Sequence, residues 1–310
     1  TPTPPTEALI EQAIADRTII RTWPMRGTLH FVAAADARWL LQLLTPRQIQ
    51  QAAGRYRQLG LADRDFAQSQ ALFARVLQGD NELTRDELMQ ALEEAGIATT
   101  GQRGYHMLGR AAQDGLICFG ARSGKQQTFV LLDEWVPPTP PRDRDEALAE
   151  LAHRYFTSHG PATVHDLARW AGITVTDARR GLAAIQGELQ GETVDGQEYW
   201  LPPTLPAATS QAEPVYLLPG FDEFVLGYGE RSAVLDPVYA DRICPGGNGV
   251  FSPTVVSDGR IRGTWKRTLK TKAVAVEWTP FTSFTPAEEA ALVAAAQQYG
   301  DFLDLAVSRQ

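Results

Sequence analysis

Three stretches concentrate side chains with chemical potential. In residues 22–32, TWPMRGTLHFV, two apolar runs flank Pro24-Met25-Arg26-Gly27 and predict a tight hairpin. Thr28 and His30 stand two apart on a strand and share a face, with Leu29 expected to turn the other way into the core. Arg26, nearer the turn, is placed to reach a phosphate or hold an acidic partner. Two readings of the group stand: support for a catalytic pocket, or a buried, hydrogen-bonding His30 that fixes the hairpin.

The second stretch is RIRGTWKRTLKTK, residues 260–272, with six Lys/Arg and no acid. Strand alternation predicts Arg260, Arg262, Thr264 and Lys266 on one face and Ile261 with Trp265 on the other. With Arg267 and Lys270 these residues make either a positive ridge for a phosphate backbone or a solvated strand face. The third stretch, LLPGFDEFVLGYGERSAVLD at 217–236, gathers Asp222, Glu223, Tyr228, Glu230 and Arg231. Neighbouring carboxylates serve as acid and base in some proteins and as caps and ion pairs in others.

Other chemistries find little footing. GARSGK (120–125) has too few spacer residues for a phosphate-binding loop, and Gln126 follows where Ser or Thr is needed. The five histidines, His30, His106, His153, His159 and His165, lack metal-ligand spacing, and Cys118 and Cys244 form no CxxC pair. Ser232 and Ser252 lack a nucleophile-elbow setting. No metal or cofactor is expected. The net charge of −8 argues against nucleic-acid binding by the whole surface, but leaves room for a local basic patch. No apolar run is long enough to span a membrane. A cytoplasmic monomer is expected. The sequence begins at Thr1, which suggests that residues upstream are missing.

The elements that position these groups repeat. In residues 83–100, Thr84 and Glu87 form a T-x-x-E capping box, and in 162–176 Thr163 and Asp166 mimic it. Both helices end in Ala-Gly-Ile, at 95–97 and 171–173. A second helix follows each turn, with Thr176 as the expected cap of the later one, and then a hairpin, the later one turning at Asp195-Gly196. Helix, turn, helix, hairpin is a winged helix. The expected fold is α+β, with three tandem winged helices, the first incomplete at the N-terminus, then a β-rich C-terminal element and a terminal helix capped at Thr285. The expected boundaries are 1–45 (rest of the first winged helix), 46–69 (helical connection), 70–135 (second), 136–144 (Pro-rich linker), 145–202 (third), 203–214 (linker) and 215–310 (C-terminal element).

RTWPMRGTLHFV, LLPGFDEFVLGYGERSAVLD and GNGVFSPTVVSDGRIRGTWKR, in that order, resemble the AlkZ/YcaQ-type winged-helix DNA glycosylases. The second motif reads Gly-Tyr-Gly-Glu-Arg at 227–231, where the family more often has Gly-Tyr-x-Asp-Arg. The resemblance implies three winged helices curved into a C around double-stranded DNA that is damaged or crosslinked. It implies hydrolysis of the N-glycosidic bond of bulky N-alkylated purines, or unhooking of interstrand crosslinks. It also implies a catalytic Gln-hydrophobe-Gln or Gln-hydrophobe-Asp motif upstream of the Arg26–His30 hairpin, before the point where this sequence starts. Gln48-Ile49-Gln50 spells such a motif, but lies downstream in a glutamine-rich stretch expected to be a solvated helix face. What carries over is Arg26, Thr28 and His30 beside the catalytic element, Asp222, Glu223, Tyr228 and Arg231 as a C-terminal signature, and Arg262, Trp265 and Lys266 in a basic hairpin. The competing readings are a noncatalytic DNA-binding regulator and an interaction scaffold.

Overall fold

A computed structural model of the chain describes residues 6–204 and 215–309; residues 205–214 of the second expected linker lie outside them. The fold is mixed α+β. Helix α1 (Glu7–Ala15) leads into the hairpin β1 (Ile19–Met25) and β2 (Thr28–Ala33). Met25 pairs with Thr28, so the loop is the two residues Arg26 (φ 53°) and Gly27 (φ 69°). Two successive left-handed residues match the right-handed twist of the strands. Helices α2 (Ala37–Gln58) and α3 (Asp63–Leu77) follow. The expected boundaries at 45/46 and 69/70 therefore fall inside helices; Pro46 lies within α2 without ending it.

Two segments share the same capping hydrogen bonds and glycine stops. After β3 (Leu83–Thr84), α4 (Arg85–Glu94) is capped by Thr84: its Oγ1 accepts the Glu87 N–H, and Glu87 accepts the Thr84 N–H at 2.7 Å. Gly96 (φ 75°) stops the helix, and the Ile97 N–H closes back on the Leu92 carbonyl at 2.9 Å. Next come α5 (Arg103–Gln113), β4 (Ile117–Ser123) and β5 (Gln126–Leu131), with β3 pairing to β5 at Leu83–Phe129. A short α6 (Leu132–Trp135) precedes residues 137–143, which carry no helix or strand.

The later segment runs α7 (Arg144–His159), α8 (Val164–Ala171), α9 (Val175–Ile185), β6 (Gln190–Val194) and β7 (Gln197–Leu201). Thr163 and Asp166 cap α8 reciprocally, at 2.9 and 3.1 Å, and a lone bridge from Ala162 to Trp200 stands where β3 pairs with β5. Gly172 (φ 70°) ends α8 as Gly96 ends α4. Helix α9 is capped by Thr174 instead of Thr176. An acid three residues on completes the cap, and Asp177 stands there for Thr174, whereas Arg179 follows Thr176.

The chain divides into two compact units. The first, Ala8–Tyr155 with Ala171–Gly187, holds a five-stranded sheet in the order β2-β1-β4-β5-β3. One of its cores gathers Trp23, Phe73, Leu88, Met107, Ile117 and Phe129; the other gathers Ile20, Leu41, Cys118, Val130 and Trp135. The second unit is formed mainly by the described residues of Phe156–Trp170 and Glu188–Gln310. It contains β8 (Tyr216–Leu218), the short helices α10 (Glu223–Leu226) and α11 (Ala240–Ile243), β9 (Thr254–Ser257), β10 (Arg260–Leu269), β11 (Ala273–Pro280), α12 (Pro286–Leu303) and β12 (Ala306–Arg309). The sheet order is β12-β11-β10-β9-β8, and β12 runs parallel to β11 after the α12 crossover that such a pairing requires. Thr285 caps α12 through Glu288, and Leu292 and Ala296 seal it onto the sheet. Among the described residues no helix is long and apolar enough to cross a membrane.

Candidate functional site

The tip of the first hairpin is tied to α2 by one side chain. Gln48 is 8% exposed; its Oε1 accepts the Gly27 N–H at 2.6 Å, while Nε2 donates to the carbonyls of Leu44 (3.2 Å) and Pro24 (3.3 Å). This corrects the expectation of a solvated helix face. The signal was available: Leu41, Thr45, Gln48, Ala52 and Tyr56 form one stripe at helical spacing, and all are buried or half-buried. The motif also does not converge. Gln48 lines one cleft with Arg26 and Tyr56, whereas Ile49 and Gln50 line another with Arg38 and Thr45. Both ends of the Gln48 amide are occupied, so it acts as a latch.

The latched turn borders a polar cleft of about 450 Å³, whose walls include Arg26, Gln51, Tyr105, His106, Arg110 and Gln113. His106 is half-buried and meets the rings of Tyr56 and Tyr105 edge-on at 5.7 and 5.5 Å. Burial, then the nearby Arg55 charge, holds its pKa below the ordinary histidine value, so the ring is neutral at neutral pH. His106, Arg110 and Gln113 recur at i, i+4 and i+7 on α5, beside the buried stripe of Met107, Leu108, Ala111 and Ala112. That polar stripe was the overlooked signal. Arg110 already pairs with Asp114 at 2.8 Å.

Of the three hairpin candidates, only Arg26 lines this cleft. Thr28 Oγ1 donates to the Met25 carbonyl at 3.0 Å, and His30 Nε2 lies 2.8 Å from Thr28 Oγ1. A hydroxyl has one proton, so the imidazole N–H donates to Thr28. Leu29 does not enter the core: it is 37% exposed, and Phe31 is 55% exposed. Strand β2 is the outer strand of its sheet, and Ile20 and Trp23 of β1 already fill the cores on either side.

The C-terminal signature is assembled as a clasp around residues 159–170. Asp222 caps α10 through the Phe224 N–H. Glu223 accepts the Trp170 indole N–H at 2.6 Å and lies 3.6 Å from His159 Nε2. Tyr228 donates to the His159 carbonyl at 2.8 Å, and the Gly229 N–H donates to Asp166 at 2.7 Å. Arg231 donates to the Val225 carbonyl and packs over Phe251; burial, then Arg169, depresses its pKa. Burial, with Asp166 and Glu223, raises that of Tyr228. These are the ties and caps of a structural joint.

The basic strand is not a single ridge. Ile261 pairs with Val256 and Gly263 with Val255, leaving Arg262 as the extra residue of a bulge. Alternation resets there. Ile261 joins the core with Val225 and Ile243, while Trp265 joins the α12 core. Arg260 and Lys266 consequently lie on opposite faces. Arg262 is half-buried near Glu288, Lys266 pairs with Glu277 at 2.9 Å, and Arg267 reaches the Tyr299 hydroxyl on α12. Arg260 and Lys270 are exposed. Cys118 offers no nucleophile, since burial pushes its thiol up to about 12.

A model of the family described as DNA glycosylase AlkZ-like matches residues 3–302. The chain belongs to that family. Among AlkZ-like relatives, the interstrand DNA cross-link repair glycosylase of Streptomyces sahachiroi is 29% identical over 280 residues, or 84% of this chain and 74% of that protein. The solved structure of Streptomyces sahachiroi DNA glycosylase AlkZ matches with a TM-score of 0.77 at 25% identity, covering 99% of this chain and 86% of that one. The AlkZ-like assignment thus spans the hairpin, the repeats and the C-terminal sheet together.

Proposed function

We propose that this protein is a DNA glycosylase that hydrolyses the N-glycosidic bond of bulky N-alkylated purines and unhooks interstrand crosslinks in duplex DNA. The observation that carries the reading is the AlkZ-like family match from residue 3 to 302, together with a relative named for cross-link repair. On this reading residues 7–33 are the rest of an incomplete first winged helix, and 63–131 and 144–201 are the second and third. The shared caps, glycine stops and hairpins of the second and third support it. The protein works as a cytoplasmic monomer, without metal or cofactor.

The chemistry fits the uncharged polar groups of the cleft wall. An N7-alkylated purine is cationic while bonded and departs as a neutral base, so the protein must stabilise the positive sugar left behind and orient a water. A neutral His106 with Gln51 and Gln113 supplies hydrogen-bond acceptors of this kind, and Arg26 at the hairpin tip meets a flanking phosphate. Thr28 and His30 stiffen the hairpin that carries Arg26. Gln48 holds that hairpin and is not the catalytic amide. The open cleft admits a base too bulky for a tight flipping pocket. Incubation with crosslinked and N7-alkylated duplexes, followed by detection of abasic sites, tests the proposal. A noncatalytic regulator would bind the same duplexes and release no base.

A further inference from the structure

Trp23 and Tyr105 line the polar cleft on one side and a second cleft, of about 380 Å³, on the other. The second cleft is aromatic. Trp23 stacks nearly parallel to Phe129 (6.5 Å, 6°), and Phe119 lies 5.0 Å from Trp23 and 4.6 Å from Phe129. These three rings are buried, whereas Leu29 and Tyr105 at the mouth are 37% and 46% exposed. This is where Leu29 goes instead of the core.

Arg21 also lines the cleft. Its guanidinium lies 5.2 Å from the Phe119 ring centre and 5.8 Å from that of Phe31. Among the described residues no carboxylate comes within ion-pair distance of Arg21, although it is half-buried. Burial, then the like charge of Arg122, holds its pKa below the ordinary arginine value. A half-buried cation set against two ring faces, with a like charge nearby and no ion pair of its own, gains from an arriving anion. Arg85 and Asp86 add one charge of each sign at the exposed edge of the lining, so the net positive charge of the cleft is that of Arg21. The combination is an apolar slot for a flat ring, with the Arg21 cation beside it for a phosphate of the strand to which that ring is tethered.

We infer that this second cleft receives a flat aromatic substituent carried on the alkylated base, while Arg21 meets a flanking phosphate. The inference rests on the glycosylase reading and adds the substrate class: lesions whose alkyl group bears an aromatic ring. The polar cleft takes the base and sugar, and the Trp23–Tyr105 divide separates the two parts. A bare methyl adduct leaves the aromatic cleft empty and forgoes that contact.

The test uses the full chain and two duplexes of one sequence, bearing N7-methylguanine or N7-benzylguanine, with dissociation constants and base release measured for each. The wild-type protein binds the benzyl duplex at least roughly tenfold more tightly, the scale of hydrophobic discrimination in a fitted pocket. Leu29→Trp fills the cleft from its exposed mouth and brings the benzyl-to-methyl ratio to about one. Leu29→Ser removes a wall and lowers the ratio. Arg21→Gln makes the salt slope shallower by about 0.9. Equal wild-type affinity for both duplexes with base release from each overturns the inference and leaves the glycosylase reading standing. So does a preference that survives Leu29→Trp. Failure to release base from either duplex overturns the glycosylase reading itself.

Discussion

Replacing Gln48 with Met separates a latch from a catalytic amide. The side chains are close in volume, so packing is largely kept, but all three hydrogen bonds of the amide disappear. The Gly27 N–H loses a short acceptor at 2.6 Å, and the carbonyls of Pro24 and Leu44 lose a donor at 3.3 and 3.2 Å. A neutral hydrogen bond contributes about 1 kcal/mol net, and the two longer ones less. The expected loss is about 2 kcal/mol, which lowers the melting temperature of a unit of this size by roughly 4–8 °C. The Gly27 amide, freed from its partner, exchanges its proton at least about fivefold faster. Differential scanning calorimetry and site-resolved hydrogen exchange read the two effects. A Gln48→Met protein with unchanged melting and unchanged Gly27 exchange, but no base release, would refute the latch and make Gln48 a catalytic group.

Tyr228→Phe removes the bond to the His159 carbonyl and should cost about 1 kcal/mol in thermal unfolding; lost base release at unchanged stability would move the C-terminal signature into the active site. The bulge at Arg262 puts Arg260 and Lys266 on opposite faces. Arg260→Ala and Lys266→Ala should therefore not both flatten the salt dependence of DNA binding. The double variant changes the slope by about 0.9 at most, as against about 1.8 for a continuous ridge. Asp65 accepts the Ala62 N–H and, at 3.2 Å, an N–H of the Arg103 guanidinium, and this hydrogen bond to Ala62 with the Arg103 charge holds its carboxyl below the usual range. A depressed native pKa means that the unfolded chain binds the proton first. The stabilisation is then complete above the unfolded value of about 3.9 and disappears as the pH falls through the lower native value. Asp65→Asn should melt below wild type at pH 7, with the difference shrinking below about pH 4; a constant difference would contradict this.

The legible parts of this fold are those whose signal is local. Thr84 with Glu87 and Thr163 with Asp166 announce their caps within four residues, and Gly96 and Gly172 announce their stops. The parts that were not legible depend on partners distant in the chain. The bulge at Arg262 exists because β9 pairs in a register that skips it, so alternation along residues 260–266 alone assigns Ile261 and Trp265 to one core when they occupy two. Leu29 reads as a core residue until β2 is known to be the outer strand. The polar cleft needs β1, α2 and α5 brought together, and no short motif spans them. Gln48 and His106 were legible in principle, on stripes at helical spacing, but a polar side chain on such a stripe is easily assigned to solvent.

The central claim is that the protein breaks N-glycosidic bonds in damaged duplex DNA. The most direct measurement is base release from a duplex carrying a single N7-linked interstrand crosslink, resolved by denaturing electrophoresis after cleavage of abasic sites. The account predicts separation of the strands with an abasic site at the crosslinked purine, in proportion to enzyme and time. Tight, salt-sensitive binding of the crosslinked duplex with both strands still joined and no abasic site would contradict it.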